Sequence, residues 1–341
     1  MTRRTVLIAG AGFSQPANGP VLANLLDAEW VSRCRLTTSE IAMVDSISRQ
    51  LRARQSTPAP MSVEDLFSEI YRRAKTRGRW DVDDKVMDAQ YVLEVLQRYL
   101  ASTAKNVRLR RGSMLWERYR DFLTEASRTA HRPTIITFNY DLLIEHTLDD
   151  AGLIFDFGGV PDIRISDRRR LRGLKNNHPS VRLLKLHGSI GWGLCHGCAT
   201  AKDGNAVATV FEKPYIPRSR TRCPHCETRM LEPGLVPPIN AKAGEIPPKE
   251  ALWELARYEI RRATEILVMG YSLPSTDYEA RSLLSEAKSN SSAQSIIAIC
   301  GHSGASPSIK EVFPKLVDSR ARIEEVLDGS KRVGLRWWGA G

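Results

Sequence analysis

Two C-x-x-C pairs are the residues of this sequence most suited to a defined chemistry. Their four thiols belong to Cys195, Cys198, Cys223 and Cys226. The pairs are separated by residues 199–222, and each can present two thiolates from a tight turn. Four thiolates complete the tetrahedral shell that Zn²⁺ prefers and leave no position for a reacting water, so the sequence predicts a structural zinc. His196 and His225, inside the pairs, are interpreted as bystanders.

A glycine-rich turn follows the first apolar run of the chain. Thr5 to Ala9 is apolar and β-branched, which is typical of a strand buried on both faces of a parallel sheet. Gly10-Ala11-Gly12-Phe13-Ser14 follows directly, and glycines there would let the backbone approach a phosphate. The third glycine of a G-x-G-x-x-G motif is replaced by Gln15, so an ordinary tight turn remains the alternative.

Asn139 and Asp141 follow a second apolar run, Thr134 to Phe138. In open α/β sheets the ligand crevice lies at the carboxyl ends of the strands, where an amide and a carboxylate can bind a carboxamide or a water. The alternative is that both residues merely cap a helix over Leu142 to Leu148.

Two more motifs stand at the ends of apolar runs. His187-Gly188 follows Val181 to Leu186, and histidine can act as a general base near neutral pH. Gly270-Tyr271-Ser272 follows Glu265 to Met269, and its small groups can border a ribose or a phosphate. A structural histidine and a simple turn are the respective alternatives. Asp277 is interpreted as a helix cap.

Strand-like and helical segments alternate along the chain, which predicts a Rossmann-like, doubly wound parallel α/β sheet. Ser295 to Ile299 is a further strand, Val333 to Trp338 a candidate edge strand, and Val21 to Trp30 a helical stretch. Residues 31–130 are predicted to be mostly helical. The expected organisation is an α/β domain over 1–30 and 131–341, a helical insertion over 31–130 and a zinc-ribbon insertion over 190–235.

The net charge, the isolated thiols and the length of the apolar runs limit the partners and the location that the sequence allows. The 341 residues carry a formal net charge of +11, which favours an anionic partner such as a nucleotide. The basic runs at Arg168 to Arg172 and Arg218 to Arg222 are compatible with nucleic-acid binding. We favour the interpretation that they form a solvated or oligomer-facing surface. Cys34 and Cys300 are isolated thiols, which indicates a reducing, cytoplasmic location. No apolar run approaches the roughly 18 residues of a membrane helix.

Taken in order, these motifs resemble those of the sirtuins: Gly-Ala-Gly-x-Ser, x-Asn-x-Asp, His-Gly, the two C-x-x-C pairs and Gly-x-Ser. The resemblance implies that NAD⁺ is bound and that His187 is a general base. It implies that the diphosphate and its ribose contact Gly10, Ala11, Gly12 and Ser14. Asn139 and Asp141 would lie near the nicotinamide ribose, Gly270 and Ser272 would hold the adenosine side, and the cysteines would bind zinc.

Departures from the deacylating sirtuins indicate a different activity. The segment that pairs with an acyl-lysine peptide is replaced by Leu235 to Lys242, where Pro237 and Pro238 lack backbone donors for strand addition. Phe138 stands in place of the usual glutamine. The asparagine expected on the adenine side is absent, and Cys300-Gly301-His302 stands there.

The combination Thr-Phe-Asn-Tyr-Asp, Lys-Leu-His-Gly-Ser and Gly-Tyr-Ser-Leu is similar to divergent bacterial sirtuin-like proteins. These hydrolyse NAD⁺ in anti-phage defence, and several form homo-oligomers or act with a HerA-like ATPase. That resemblance implies an NAD⁺ glycohydrolase with Asn139 and His187 as its catalytic residues. NAD-dependent protein deacylation and a non-catalytic nucleotide-sensing subunit are the alternatives.

Overall fold

A computed structural model describes most of the chain. The described residues are 4–58, 60–83, 85–129, 133–158, 163–165, 180–195, 207–210, 222–223, 226–227, 232–240, 249–274, 277–289, 295–301, 303–328 and 330. The predicted edge strand Val333 to Trp338, Cys198 and the run Arg168 to Arg172 lie outside these ranges, as does most of the run Arg218 to Arg222.

A seven-stranded parallel sheet forms the centre of the protein. Numbered in chain order among all strands, its members are β1 (Thr5–Ala9), β4 (Thr134–Thr137), β5 (Phe155–Asp156), β7 (Val181–Lys185), β11 (Glu265–Met269), β12 (Ser295–Ile299) and β13 (Val317–Asp318). The spatial order is β13-β12-β11-β1-β4-β7-β5, and every pairing is parallel. The predicted Rossmann-like α/β class is confirmed.

The five strands expected from apolar runs all form, because β-branched and aliphatic side chains fit the two covered faces of a parallel sheet. The described residues add two short edge strands that the sequence did not reveal, Phe155–Asp156 and Val317–Asp318. Two-residue strands are too short to show a periodicity, so their pairing depends on tertiary contacts.

Four long helices of the described residues, α3 to α6 below, lie between β1 and β4 in the chain. In chain order the α-helices are α1 (Ala11–Ser14), α2 (Ala28–Ser32), α3 (Thr38–Gln55), α4 (Val63–Lys75), α5 (Ala89–Lys105), α6 (Met114–Thr129), α7 (Leu143–Asp150), α8 (Lys249–Arg262), α9 (Tyr278–Ser285), α10 (Pro307–Val312) and α11 (Ile323–Leu327). No described helix is long and apolar enough to cross a membrane.

The region 31–130 is mostly helical, as expected, but it also contains a β-hairpin. Its strands are β2 (Arg79–Val82) and β3 (Lys85–Asp88). Trp80 and Val82 of β2 are buried, whereas Arg79 and Asp81 are exposed, which is the alternation of a half-buried strand. The hairpin was missed because each strand has only four residues.

The predicted helical stretch Val21 to Trp30 is wrong as a single element. A 3₁₀ turn covers Leu22–Asn24, and α2 begins only at Ala28. The Asn24 side chain accepts a hydrogen bond from the Val21 backbone N–H, a local bond that competes with continued helix.

A second, mixed sheet contains Cys195, the first of the four cysteines. Its strands are β6 (Ile163–Ile165), β8 (Gly188–Cys195), β9 (Val207–Val210) and β10 (Glu232–Leu235), in the order β10-β8-β9-β6. Strand β8 begins directly after His187 and ends at Cys195, so one strand connects the candidate catalytic histidine with the cysteine cluster. The division of the chain into three domains stays a prediction.

Candidate functional site

A cavity of about 690 Å³ opens at the carboxyl edge of the parallel sheet, within the range of about 300–1,000 Å³ that is usual for small-molecule sites. Most of the sequence-predicted site residues line it. They are Ala11, Gly12, Ser14, Asn139, Asp141, His187, Gly270 and Ser272. Gly10 is not among the described lining residues, but its carbonyl accepts a hydrogen bond from Asn139 of the lining. Residues of α4 and α5 form the opposite side, so the cavity lies between the sheet and the helical region.

The glycine turn after β1 packs directly on the turn after β11. The Gly12 N–H donates to the Gly270 carbonyl at 2.8 Å, and the Gly10 N–H donates to the Met269 carbonyl at 3.0 Å. A Cβ on Gly270, whose φ is +62°, would stand 2.2 Å from the Phe13 nitrogen. Both turns therefore require glycine for this approach, and two of the loop's donors bind protein rather than face the cavity.

Asn139 connects the glycine turn with the carboxylate that follows it. Its Nδ2 donates to the Gly10 carbonyl at 2.8 Å and to Ser14 Oγ at 3.0 Å. Ser14 Oγ in turn donates to Asp141 Oδ2 at 2.8 Å. With Nδ2 held in this way, Oδ1 is the Asn139 atom suited to accept a hydrogen bond from a water or a ribose hydroxyl.

Asp141 also binds the first residue of α7, although the N-cap position itself is Leu142 and has no side-chain cap bond. Its Oδ1 accepts a hydrogen bond from the Leu143 N–H at 3.0 Å, where α7 begins. Burial raises the pKa of Asp141, and the nearby Lys185 charge, the Leu143 N–H and the Ser14 hydroxyl oppose this shift. Asn139 makes no such bond to α7, because its described bonds go to Gly10 and Ser14.

His187 lies in a buried, largely aromatic environment. Its side chain contacts the rings of Phe138, Tyr140 and Trp253, with the Phe138 centroid 5.0 Å away. Its Nε2 stands 3.7 Å from Asp277 Oδ2. A carboxylate at this distance can stabilise the imidazolium that forms when a histidine accepts a proton.

Asp277 does more than the predicted helix cap. Its Oδ1 accepts from the Ala280 N–H at 3.4 Å at the start of α9, which confirms the cap. Its Oδ2 accepts from the Tyr271 hydroxyl at 3.0 Å, and the Tyr271 ring stacks on Phe138 with centroids 4.4 Å apart. The loop after β11 thus contributes a carboxylate beside His187.

Sequence reasoning missed several residues of this site. Glu64, Phe138, Tyr140, Tyr271, Asp277 and Cys300 all line the cavity. Phe138 and Tyr140 flank Asn139, so their places beside a functional asparagine were a usable signal. Glu64 had none, because it comes from a helix distant in sequence whose contact with the sheet depends on the tertiary fold.

The cysteine cluster fits a tetrahedral metal. The sulfur atoms of Cys195, Cys223 and Cys226 all lie within 4.8 Å of one another, and those of Cys195 and Cys226 are 3.5 Å apart. A Zn–S bond of about 2.3 Å in a tetrahedron requires sulfur atoms about 3.8 Å apart. Three described thiols therefore fit zinc, and Cys198 lies outside the described residues.

A short segment after β10 connects His187 to α4. The Val236 N–H donates to the His187 carbonyl at 3.0 Å, and the Ile239 N–H donates to the Pro237 carbonyl at 2.8 Å. The Asn240 N–H donates to Ser68 Oγ, and its Nδ2 donates to Asp65 Oδ1, both at 2.8 Å. In residues 236–240 every backbone N–H is therefore used within the chain, and Pro237 and Pro238 have none.

A family model described as a SIR2-like domain matches residues 133–316, more than half of the chain. The chain belongs to the SIR2-like domain family. The matched region contains Asn139, His187 and Gly270, whereas the glycine turn after β1 precedes it. Membership supports the sirtuin resemblance at the level of the superfamily and indicates an NAD-related activity.

Similar solved structures are also SIR2 proteins. A Sir2 homologue in complex with NAD is 18% identical, with 96% of this chain and 88% of that chain covered and a TM-score of 0.48. A mutant Sir2 homologue bound to 2′-O-acetyl ADP ribose is 19% identical, with 96% and 90% covered and a TM-score of 0.47. The family assignment rests on the sequence match and not on these structures. No curated protein matches this SIR2-like chain.

Proposed function

We propose that this SIR2-like protein hydrolyses NAD⁺ to nicotinamide and ADP-ribose without a peptide co-substrate. The observation that supports this most strongly is that the backbone N–H groups of residues 236–240 already bind within the chain. A peptide that adds as a strand needs backbone donors and acceptors on the segment it joins. Here two donors are replaced by prolines, and the others bind His187, Pro237 and Ser68.

The reaction needs one nucleophile and one base. A water attacks C1′ of the nicotinamide ribose, the C1′–N1 bond breaks, and its electron pair neutralises the pyridinium nitrogen. Nicotinamide leaves as a neutral molecule, so no general acid is required. The proton lost by the water goes to a base, and ADP-ribose is the second product.

Asn139 and His187 are proposed for these two roles. Asn139 Oδ1 would hold the water, because its Nδ2 is fixed by Gly10 and Ser14. His187 would accept the proton from that water or from a ribose hydroxyl, with Asp277 stabilising the resulting imidazolium from 3.7 Å. General-base assistance typically contributes about 10²–10⁴-fold, so positioning of the water must supply much of the remaining rate.

NAD-dependent deacylation is the second candidate. The cysteine cluster of the deacylating sirtuins is present, which is the specific observation in its favour. The two activities separate when purified protein is incubated with NAD⁺, with and without an acyl-lysine peptide, and the products are resolved by chromatography. Hydrolysis predicts nicotinamide and ADP-ribose at the same rate in both reactions. Strict dependence on the peptide, with O-acyl-ADP-ribose as the product, would instead establish the deacylase.

The biological role proposed from the resemblance is depletion of cellular NAD⁺ during phage infection. A cytoplasmic homo-oligomer, with or without a HerA-like ATPase, would be the acting form. Bacteria that express the wild-type protein or Asn139→Ala can be infected while cellular NAD⁺ is followed. A fall in NAD⁺ limited to infected wild-type cells supports this role, and equal NAD⁺ in both strains would contradict it.

A further inference from the structure

The cavity has an unusual distribution of charge for a site that would bind a dinucleotide. Among the described lining residues there is no lysine or arginine, whereas three are acidic: Glu64, Asp141 and Asp277. Asp141 and Asp277 follow strands of the parallel sheet. Glu64 comes from the other wall, at the start of α4.

Glu64 is held within the protein rather than projecting into solvent. Only 6% of its surface is exposed, although it lines the cavity together with His187. A buried carboxylate is costly to maintain unless its charge meets a compensating charge or a set of hydrogen bonds. The first turn of α4 supplies part of this compensation, because a helix N-terminus favours a negative charge, and a positive charge that develops on a substrate in the cavity would add to it.

The position of Glu64 relative to His187 is fixed by two connections. A capping box sets the start of α4, in which Asp65 N–H donates to Ser62 Oγ and Ser62 N–H donates to Asp65 Oδ2, both at 3.0 Å. Asn240 then donates hydrogen bonds to Asp65 and Ser68. It belongs to the segment 236–240, whose first N–H donates to the His187 carbonyl. The first turn of α4, which carries Glu64, is therefore held against the segment that binds the His187 carbonyl.

The electrostatic effect of Glu64 extends to the aromatic hydroxyls beside His187. Burial raises the pKa of Tyr140, and the charges of Asp277 and Glu64 raise it further. The pKa of Tyr271 is also raised, chiefly by burial and by Asp277, with Glu64 contributing. Glu64 and Asp277 thus act on the same two phenols from opposite walls of the cavity.

We propose that Glu64 is a third catalytic residue, whose carboxylate faces the nicotinamide ribose and stabilises the positive charge that develops there as nicotinamide leaves. This inference rests on the proposed hydrolysis of NAD⁺. Residues 236–240 meet α4 on this wall through the bonds of Asn240 to Ser68 and Asp65. Glu64 occupies that wall with a negative charge suited to an oxocarbenium-like ribose and to an ordered water.

The charge and the shape of the side chain can be separated by substitution. Glu64→Gln keeps the shape and removes the charge, so kcat for nicotinamide release should fall about 10²-fold, as is typical when one preorganised electrostatic group is removed. The KM for NAD⁺ should change much less. ADP-ribose has no nicotinamide to release, so its Kd, measured by calorimetry, should stay within about two-fold. Glu64→Asp should restore part of kcat, because it returns the charge at a longer distance.

A matched control lies on the same helix. Glu69 forms ion pairs with Arg54 and Arg73 and is not among the residues that line the cavity. Glu69→Gln should therefore keep the wild-type kcat. Melting temperature and zinc content, measured on the same preparations, separate loss of catalysis from loss of folded protein.

The possible results separate the role of Glu64 from the proposed hydrolysis of NAD⁺. Active wild-type protein together with folded Glu64→Gln whose kcat stays within two-fold of wild type would overturn the role of Glu64 alone. Wild-type protein that releases no nicotinamide from NAD⁺ would overturn the proposed hydrolysis, and the role of Glu64 with it. A low melting temperature with full turnover per folded molecule would make Glu64 a structural residue and also reject the proposal.

Discussion

Lys185 Nζ lies 2.9 Å from Glu145 Oε1, and both side chains are buried directly beneath the candidate site. The same ammonium donates to the Asp141 carbonyl, and Asp141 binds Ser14 through its carboxylate. One buried cation therefore neutralises Glu145 and fixes the backbone of the Asn139-to-Asp141 turn. This pair connects the stability of the protein with the geometry of its cavity.

Removing that cation should destabilise the protein strongly. Lys185→Met should lower the free energy of unfolding by about 3–5 kcal/mol, because it leaves an uncompensated buried carboxylate. The double variant Lys185→Met/Glu145→Gln should recover part of this loss, since neither charge remains. Urea unfolding of both variants checks the prediction, and a Lys185→Met protein less than about 1 kcal/mol below wild type would contradict it.

The cysteine cluster should bind one metal ion. Elemental analysis of protein purified without chelator should give about one zinc per chain, and Cys223→Ser should lose it, because the zinc lobe needs thiolates to fold around the metal. Cys34→Ser is the control, since the buried Cys34 thiol donates to the Trp30 carbonyl and is not in the cluster. Zinc-free wild-type protein would rule the site out.

The raised pKa of Asp141 should make the stability of the protein depend on pH. Its pKa is raised by burial, so between the unfolded value of about 3.9 and the folded value the native state binds more protons than the unfolded state. In that window the contribution of Asp141 to stability should fall as the pH rises. Melting temperatures of wild type and Asp141→Asn, compared across acidic pH, test this. Their difference should change within the window, and a constant difference would show that the Asp141 pKa is not shifted.

The sequence identified the parts of the site that depend on local pattern. Apolar runs predicted the central strands, and a residue that directly follows such a strand must lie at the carboxyl edge, as Asn139 and His187 do. The C-x-x-C spacing likewise brought Cys223 and Cys226 to Cys195. These inferences needed no knowledge of the tertiary packing.

The contributions that the sequence did not reveal depend on contacts between distant segments. More than 120 residues separate Glu64 from His187, and the sequence of α4 does not show that Glu64 lines the cavity while Glu69 does not. Lys185 stands in an apolar run, and only the packing of α7 against β7 shows that Glu145 compensates its charge. Asp277 was recognised as a cap, but its second oxygen faces Tyr271 and His187 because of how the loop after β11 folds.

The most direct test of the account is nicotinamide release from NAD⁺, without peptide, by wild type, Asn139→Ala, His187→Ala and the double variant. Wild type should release nicotinamide and ADP-ribose in equal amounts. Each single variant should lose this activity while keeping its melting temperature, and the double variant should be no worse than either, since both residues serve one step. A folded His187→Ala protein that still hydrolyses NAD⁺ at the wild-type rate would contradict the account.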